Sequence, residues 1–205
     1  MRYLIAFILA LLLAPTPTTL AGDDLVDVSY TFRISMYGGG AHGCAVNGKT
    51  MTARHVVDVR NSILEPLPKA RFRYDFFENA NRSGVGEAAM VSPFSDLAVV
   101  KLDKEPPFGY ADLGPEPKIG DRLRWVEYDF RRASKAYQPR GRSGKVVSVF
   151  AGLIVIEAEA TKGASGGCAY NDANEVVGLI SYKKETDDEK WVTGIAGLYG
   201  EWWAR

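Results

Sequence analysis

From Val26 onward, apolar and polar residues alternate over short runs broken by Gly, Pro, Asn and Asp, and no long stretch carries the 3.6-residue apolar spacing of an amphipathic helix. This pattern predicts an all-β chain, with strands at 26–35, 43–46, 49–52, 71–77, 86–92, 97–102, 123–129, 145–150, 153–159, 167–170, 176–182 and 191–195. Asn47-Gly48 predicts a tight hairpin between the second and third of these, because both central residues of such a turn need positive φ. Segment 102–120 holds Pro106, Pro107, Pro115 and Pro117 with little alternation, and is expected to connect two halves. Segment 131–144, with five Arg or Lys residues and no apolar alternation, is expected to be an exposed loop. Regular strand spacing permits a sandwich or a barrel, and the pattern alone does not choose between them.

The start of the chain breaks the pattern. Arg2 is followed by the apolar run Tyr3 to Ala14, then Pro15, Pro17 and the small-residue segment Thr19-Leu20-Ala21. That is the layout of a secretory signal peptide, and cleavage after Ala21 is expected. The run is shorter than the roughly 20 residues a spanning helix needs, so an uncleaved anchor is the weaker alternative and no stable membrane insertion is expected after cleavage. The mature chain is therefore expected to be secreted or periplasmic. The remaining 22–205 is expected to be one domain, its halves at about 26–105 and 120–200. The C-terminal Leu198 to Arg205, with Trp202 and Trp203, is expected to be a short helix packed on the second half.

Composition narrows the partners. The 205 residues are 46% hydrophobic, enough for a well-packed core, and Lys plus Arg equals Asp plus Glu at 25 each. No bulk charge points to nucleic acid. With only Cys44 and Cys168, and only His42 and His55, there is little material for a metal cluster, and no cofactor is expected.

Acyl transfer by a serine requires a hydroxyl, an imidazole to take its proton, a carboxylate to orient that imidazole, and amide donors for the oxyanion. His55 follows the predicted strand 49–52 and is the candidate base; His42, in the glycine-rich stretch 38–43, is the alternative, expected to lie in a loop too flexible for the task. Asp96 opens the apolar run 97–102 and is the candidate carboxylate, although such an Asp on its own is usually a turn or cap residue. Ser165 in Gly163-Ala164-Ser165-Gly166-Gly167 is the candidate nucleophile. Its flanking glycines allow a sharp turn that brings the Gly163 and Ser165 amides close to a substrate carbonyl.

In combination these segments resemble the chymotrypsin clan of trypsin-like serine proteases, particularly its short bacterial and viral members. Thr52-Ala53-Arg54-His55-Val56 resembles the Thr-Ala-x-His block, Ser95-Asp96-Leu97-Ala98-Val99-Val100-Lys101-Leu102 the Asp-Leu-Ala-x-x-Lys-Leu block, and Gly163-Ala164-Ser165-Gly166-Gly167 the Gly-Asp-Ser-Gly-Gly block. The order His, Asp, Ser is that clan's order. The resemblance covers roughly 27–200 and implies two six-stranded antiparallel β-barrels with the active site between them, a protein or peptide substrate, and the triad His55, Asp96 and Ser165. Loss of catalysis in a fold retained for binding is the alternative function.

Departures from the family pattern carry further expectations. Ala164 stands where many animal members have an Asp that pairs with a newly cut N-terminus, so that activation switch is expected to be absent. Cys168 replaces the usual Pro after Ser-Gly-Gly and Cys44 lies on the strand leading towards His55. A disulfide joining the two barrels is expected, with two buried free thiols as the alternative. The resemblance places substrate contacts at Glu159, Thr161, Ile180, Ser181 and Tyr182, with the backbone of 180–182 pairing with an extended substrate. Glu159 would favour basic P1 residues, whereas Lys162, Lys183 and Lys184 would favour acidic ones. Thr161 resembles the glutamate-selective branch, but Leu179-Ile180-Ser181-Tyr182 lacks that branch's histidine, so no P1 preference is assigned.

Overall fold

The computed structural model describes residues 29–36, 39–58, 70–76, 79–131, 136–187 and 190–199. The expected signal peptide, the start of the first predicted strand and the expected C-terminal helix around Trp202 and Trp203 lie outside these residues.

Among the described residues, twelve strands form two closed antiparallel barrels. The first comprises β1 (Thr31–Met36), β2 (Gly39–Val46), β3 (Lys49–Thr52), β4 (Arg71–Phe76), β5 (Asn79–Val91) and β6 (Ala98–Leu102). The second comprises β7 (Arg122–Arg131), β8 (Ala136–Phe150), β9 (Leu153–Glu157), β10 (Cys168–Tyr170), β11 (Val176–Glu185) and β12 (Trp191–Gly197). Hydrogen-bonded neighbours run β1-β2-β3-β6-β5-β4 around the first barrel and β10-β11-β12-β9-β8-β7 around the second. A single turn of helix, α1 (Arg54–Val57), follows β3.

Period-two alternation fills each barrel. Phe32 and Ile34 of β1 and Phe72, Tyr74 and Phe76 of β4 meet inside the first, with the Phe32 ring 5.3 Å from Phe76 and 6.1 Å from Tyr74. Leu123 and Trp125 of β7, Ile154 and Ile156 of β9, and Ile195 of β12 fill the second. Another apolar cluster, including Cys44, Met51, Leu97, Val126, Tyr170 and Leu179, draws on both barrels and forms the seam between them. Strands at the seam are covered on both faces, which is why segments such as 176–180 are continuously apolar rather than alternating.

The Asn47-Gly48 turn joins β2 to β3 with φ of 47° and 72°. The proline-bearing connection after β6 is pinned to both barrels by the parallel bridges Val46↔Ala111 and Leu113↔Val176. Segment 131–144 departs from expectation: most of it is strand, because β7 and β8 continue as a long ladder from Arg122↔Lys145 to Arg131↔Ala136. The ladder satisfies the backbone N–H and C=O groups of both strands, so strand forms here without apolar alternation. Cys44 and Cys168 are disulfide-bonded across the seam between β2 and β10, 124 residues apart in sequence.

Candidate active site

α1 starts immediately after β3 and sets His55 against the turn that opens β6. The His55 ring donates from Nδ1 to Asp96 Oδ2 (2.8 Å), and its backbone N–H donates to Asp96 Oδ1 (2.9 Å). Ser181 Oγ, from β11 of the other barrel, donates to Asp96 Oδ2 (2.6 Å). The Asp96 turn is itself ordered by Ser92, whose Oγ accepts from the amides of Phe94 and Ser95, both at 3.1 Å. The hydrogen bond to Asp96 raises the His55 pKa above its ordinary 6.5, outweighing desolvation. Burial opposes ionisation of Asp96, but its bonds from the His55 ring, Ser181 and the His55 amide together hold the carboxyl below its usual range. The result is an imidazole fixed with Nδ1 protonated and Nε2 left for proton transfer.

Ser165 is the second residue of the second of two consecutive turns. Ala164 N–H donates to Thr161 O (3.2 Å) and Gly167 N–H to Ala164 O (3.0 Å), with the third residues, Gly163 and Gly166, at φ of 98° and 87°. Those positive φ values require glycine. Gly166 is doubly constrained, since a side chain there would overlap the His42 carbonyl oxygen and Thr52 Oγ1. The loop is fastened to both barrels: His42 N–H donates to Ser165 O (2.8 Å), Gly166 N–H to Ile180 O (2.7 Å) and Ile180 N–H to Gly167 O (3.0 Å). The amides of Gly163 and Ser165 donate to no other group among the described residues. Ser165 Oγ donates to the Ser181 carbonyl (3.3 Å). Ser165 and His55 line one cleft of about 320 Å³ together with Gly163, Lys162 and the apolar Ile34, Met36, Ala41 and Val56.

His42 is placed differently from expectation. It belongs to β2 rather than to a loop, and only 5% of it is exposed. Burial, reinforced by the nearby Arg33 charge and only partly offset by the Gly163 backbone, pushes its pKa down to about 4. It is therefore a neutral residue of the seam whose backbone braces the Ser165 loop, its carbonyl accepting from Thr52 Oγ1 (2.6 Å).

The expected substrate contacts divide. Ile180 is buried and both its backbone groups serve the Ser165 loop, so it has no edge to offer a substrate. β10 covers β11 only as far as Leu179, and among the described residues no strand pairs with Ser181 to Tyr182 on that side, where the Ser181 carbonyl accepts from Ser165 Oγ. Glu159 is exposed and paired with Lys183 (2.9 Å), whose ammonium also lies 4.7 Å from the Trp191 ring centroid. The acid and base that pointed to opposite P1 preferences thus neutralise each other. Thr161 is held by its amide, which donates to Glu127 Oε1 (2.7 Å).

Two contributors escaped the sequence. Ser181 was expected to contact substrate, yet its hydroxyl reaches Asp96 across the seam, a contact no local pattern encodes. Glu127 was not singled out, although it shares the parity of Leu123 and Trp125 on β7, and a carboxylate on the core side of a strand is a signal.

Fold and site together define a two-barrel serine peptidase. A family model described as a trypsin-like peptidase domain matches residues 41–179, more than half of the chain. The chain belongs to the trypsin-like peptidase family and is a serine endopeptidase. Similar solved structures include a Glu endopeptidase (17% identity, TM-score 0.66, covering 90% of this chain and 92% of that one). A human pathogenic astrovirus serine protease (12%, TM-score 0.61, 84% and 91%) and the M. tuberculosis protein Rv3671c (13%, TM-score 0.64, 91% and 92%) share the fold. No curated protein matches the chain in sequence. Among the described residues, no helix is long and apolar enough to cross a membrane.

Proposed function

We propose that the chain is an exported endopeptidase working through an acyl-enzyme on Ser165, with His55 as general base and acid and Asp96 as its orienting carboxylate. The observation that carries this reading is the His55 Nδ1 to Asp96 Oδ2 bond of 2.8 Å, made by an imidazole that shares a cleft with Ser165. Catalytic hydrogen bonds often tighten only in the substrate complex, so the present lean of Ser165 Oγ on the Ser181 carbonyl is compatible with attack. On attack the serine oxygen bonds to the scissile carbon while its proton passes to His55 Nε2. The tetrahedral intermediate then collapses, the C–N bond breaks, and the same proton leaves with the amine. Water deacylates the enzyme by the reverse route. The Gly163 and Ser165 amides receive the oxyanion, an interaction worth about 10²–10³ in kcat per donor in related chemistry.

An extended substrate adds to the open edge of β11 from Ser181 to Tyr182, with Thr161 and Glu159 bordering its P1 side chain. Residues 1–21 direct export and are removed, leaving 22–205 as the protease. The basic and apolar segments of 1–21 support that part.

The test is fluorophosphonate labelling and casein hydrolysis by 22–205 beside Ser165→Ala and His55→Ala. Both activities are expected in the parent and in neither variant. Labelling that survives Ser165→Ala overturns the assignment, and a folded parent with neither activity favours a binding module.

A further inference from the structure

We propose that Glu127 is a positioning residue for the oxyanion turn, holding the Lys162–Gly163 peptide so that the Gly163 N–H faces the cleft. The carboxylate is fully buried inside the second barrel. It accepts from Trp125 Nε1 (3.0 Å), Arg142 Nε (3.0 Å) and the Thr161 amide (2.7 Å). Burying a carboxylate is costly unless its oxygens are matched by donors, so a carboxylate on the core side of β7 needs those partners. Two of them, Trp125 and Arg142, come from β7 and its partner β8. The third and shortest is the backbone of another segment.

That backbone position matters because Thr161 opens the four-residue turn closed by Ala164 N–H to Thr161 O, with Gly163 at φ 98° in third place. Positive φ at the third residue is the type II form. Types I and II differ by a flip of the central peptide, here Lys162–Gly163, and glycine accepts either form at little cost. In one form the Gly163 N–H faces the cleft; in the other the Lys162 carbonyl does, which repels an oxyanion. The far end of the turn is anchored by Ala164, buried in the barrel core but carrying no charge. The near end is anchored by Glu127. Arg142, less buried than its partner, balances the carboxylate charge and aims Oε1 at Thr161.

The inference rests on the proposed reading of Ser165 as the nucleophile, with the Gly163 and Ser165 amides as its oxyanion donors. Its test compares Glu127→Gln and the double variant Glu127→Leu/Arg142→Leu with the parent, using a peptide p-nitroanilide and counting active sites by end-point fluorophosphonate titration. Glutamine keeps the size but loses the charge and sets an NH₂ against Arg142. The double variant replaces the pair of buried Glu127 and half-buried Arg142 by apolar side chains, so that no charge is left buried without its partner, and leaves Thr161 N–H without its acceptor. In each variant that folds, kcat per titrated site is expected to fall about ten- to a hundred-fold with KM unchanged, the mark of an interaction realised in the transition state. A merely structural role would reduce the number of titratable sites but leave the rate per site as in the parent. Parent-like kcat per site in the folded double variant overturns the proposal. Failure of the underlying reading would show separately, as activity retained by Ser165→Ala.

Discussion

Acidification should unfold this protein partly through a single imidazole in the barrel seam. His42 has its folded-state pKa lowered from 6.5 to about 4, with burial as the main cause. Above 6.5 both folded and unfolded chains hold the ring neutral, so its contribution does not vary. As pH falls through 6.5 the unfolded chain takes up a proton that the folded seam refuses until about pH 4, and the balance shifts towards unfolding. Stability therefore rises with pH across this window. The whole shift corresponds to about 3 kcal/mol, of which about 2 kcal/mol is lost between pH 7.5 and pH 5. Urea unfolding of the disulfide-intact protein at those two pH values, beside His42→Gln, isolates the effect. Carboxylates such as Asp96 titrate in both proteins and cancel in the difference, whatever packing the substitution itself costs. The parent should lose about 2 kcal/mol more than His42→Gln over the interval. Equal losses in the two proteins would refute the placement of His42 as a buried neutral group.

Because Asp96 raises the His55 pKa and only neutral imidazole accepts the serine proton, kcat/KM should rise with pH along an acid limb whose midpoint lies above 6.5; a midpoint below 6.5 in a pH-rate profile would contradict the geometry. Replacing Cys44 and Cys168 together by Ser releases a 124-residue separation and should lower unfolding free energy by about 4–5 kcal/mol on the loop-entropy model, measured by denaturant titration. A loss below about 1 kcal/mol would show that the seam holds without the bridge.

Much of the molecule was legible because its signals are local. The Asn47-Gly48 turn, the alternation in 71–76 and the glycines around Ser165 each encode their geometry within a few residues. The Thr-Ala-x-His and Asp-Leu-Ala blocks were legible together rather than singly, since an isolated Asp96 resembles a turn residue until a base is placed beside it. What escaped depends on which distant segments meet. The parity of β7 marks Glu127 as inward, but only the fold brings Thr161 to it. Ser181 shows the same limit, its hydroxyl engaged with Asp96 from the opposite barrel. Segment 131–144 misled for a different reason: the ladder between β7 and β8 satisfies the backbone without any apolar alternation in the sequence. His42 was misplaced because glycines beside it suggest a loop, whereas Gly43 makes room for the Phe32 ring inside the first barrel, and the close approach to the Ser165 loop is made by Gly166 against the His42 carbonyl.

The central claim is that one serine, activated across the barrel seam, performs the chemistry. Fluorophosphonate-treated 22–205, digested and analysed by mass spectrometry, locates the reactive hydroxyl directly. The adduct is expected on the peptide carrying Ser165, and to be lost in His55→Ala. An adduct on another residue, or one formed equally well without His55, would contradict the account.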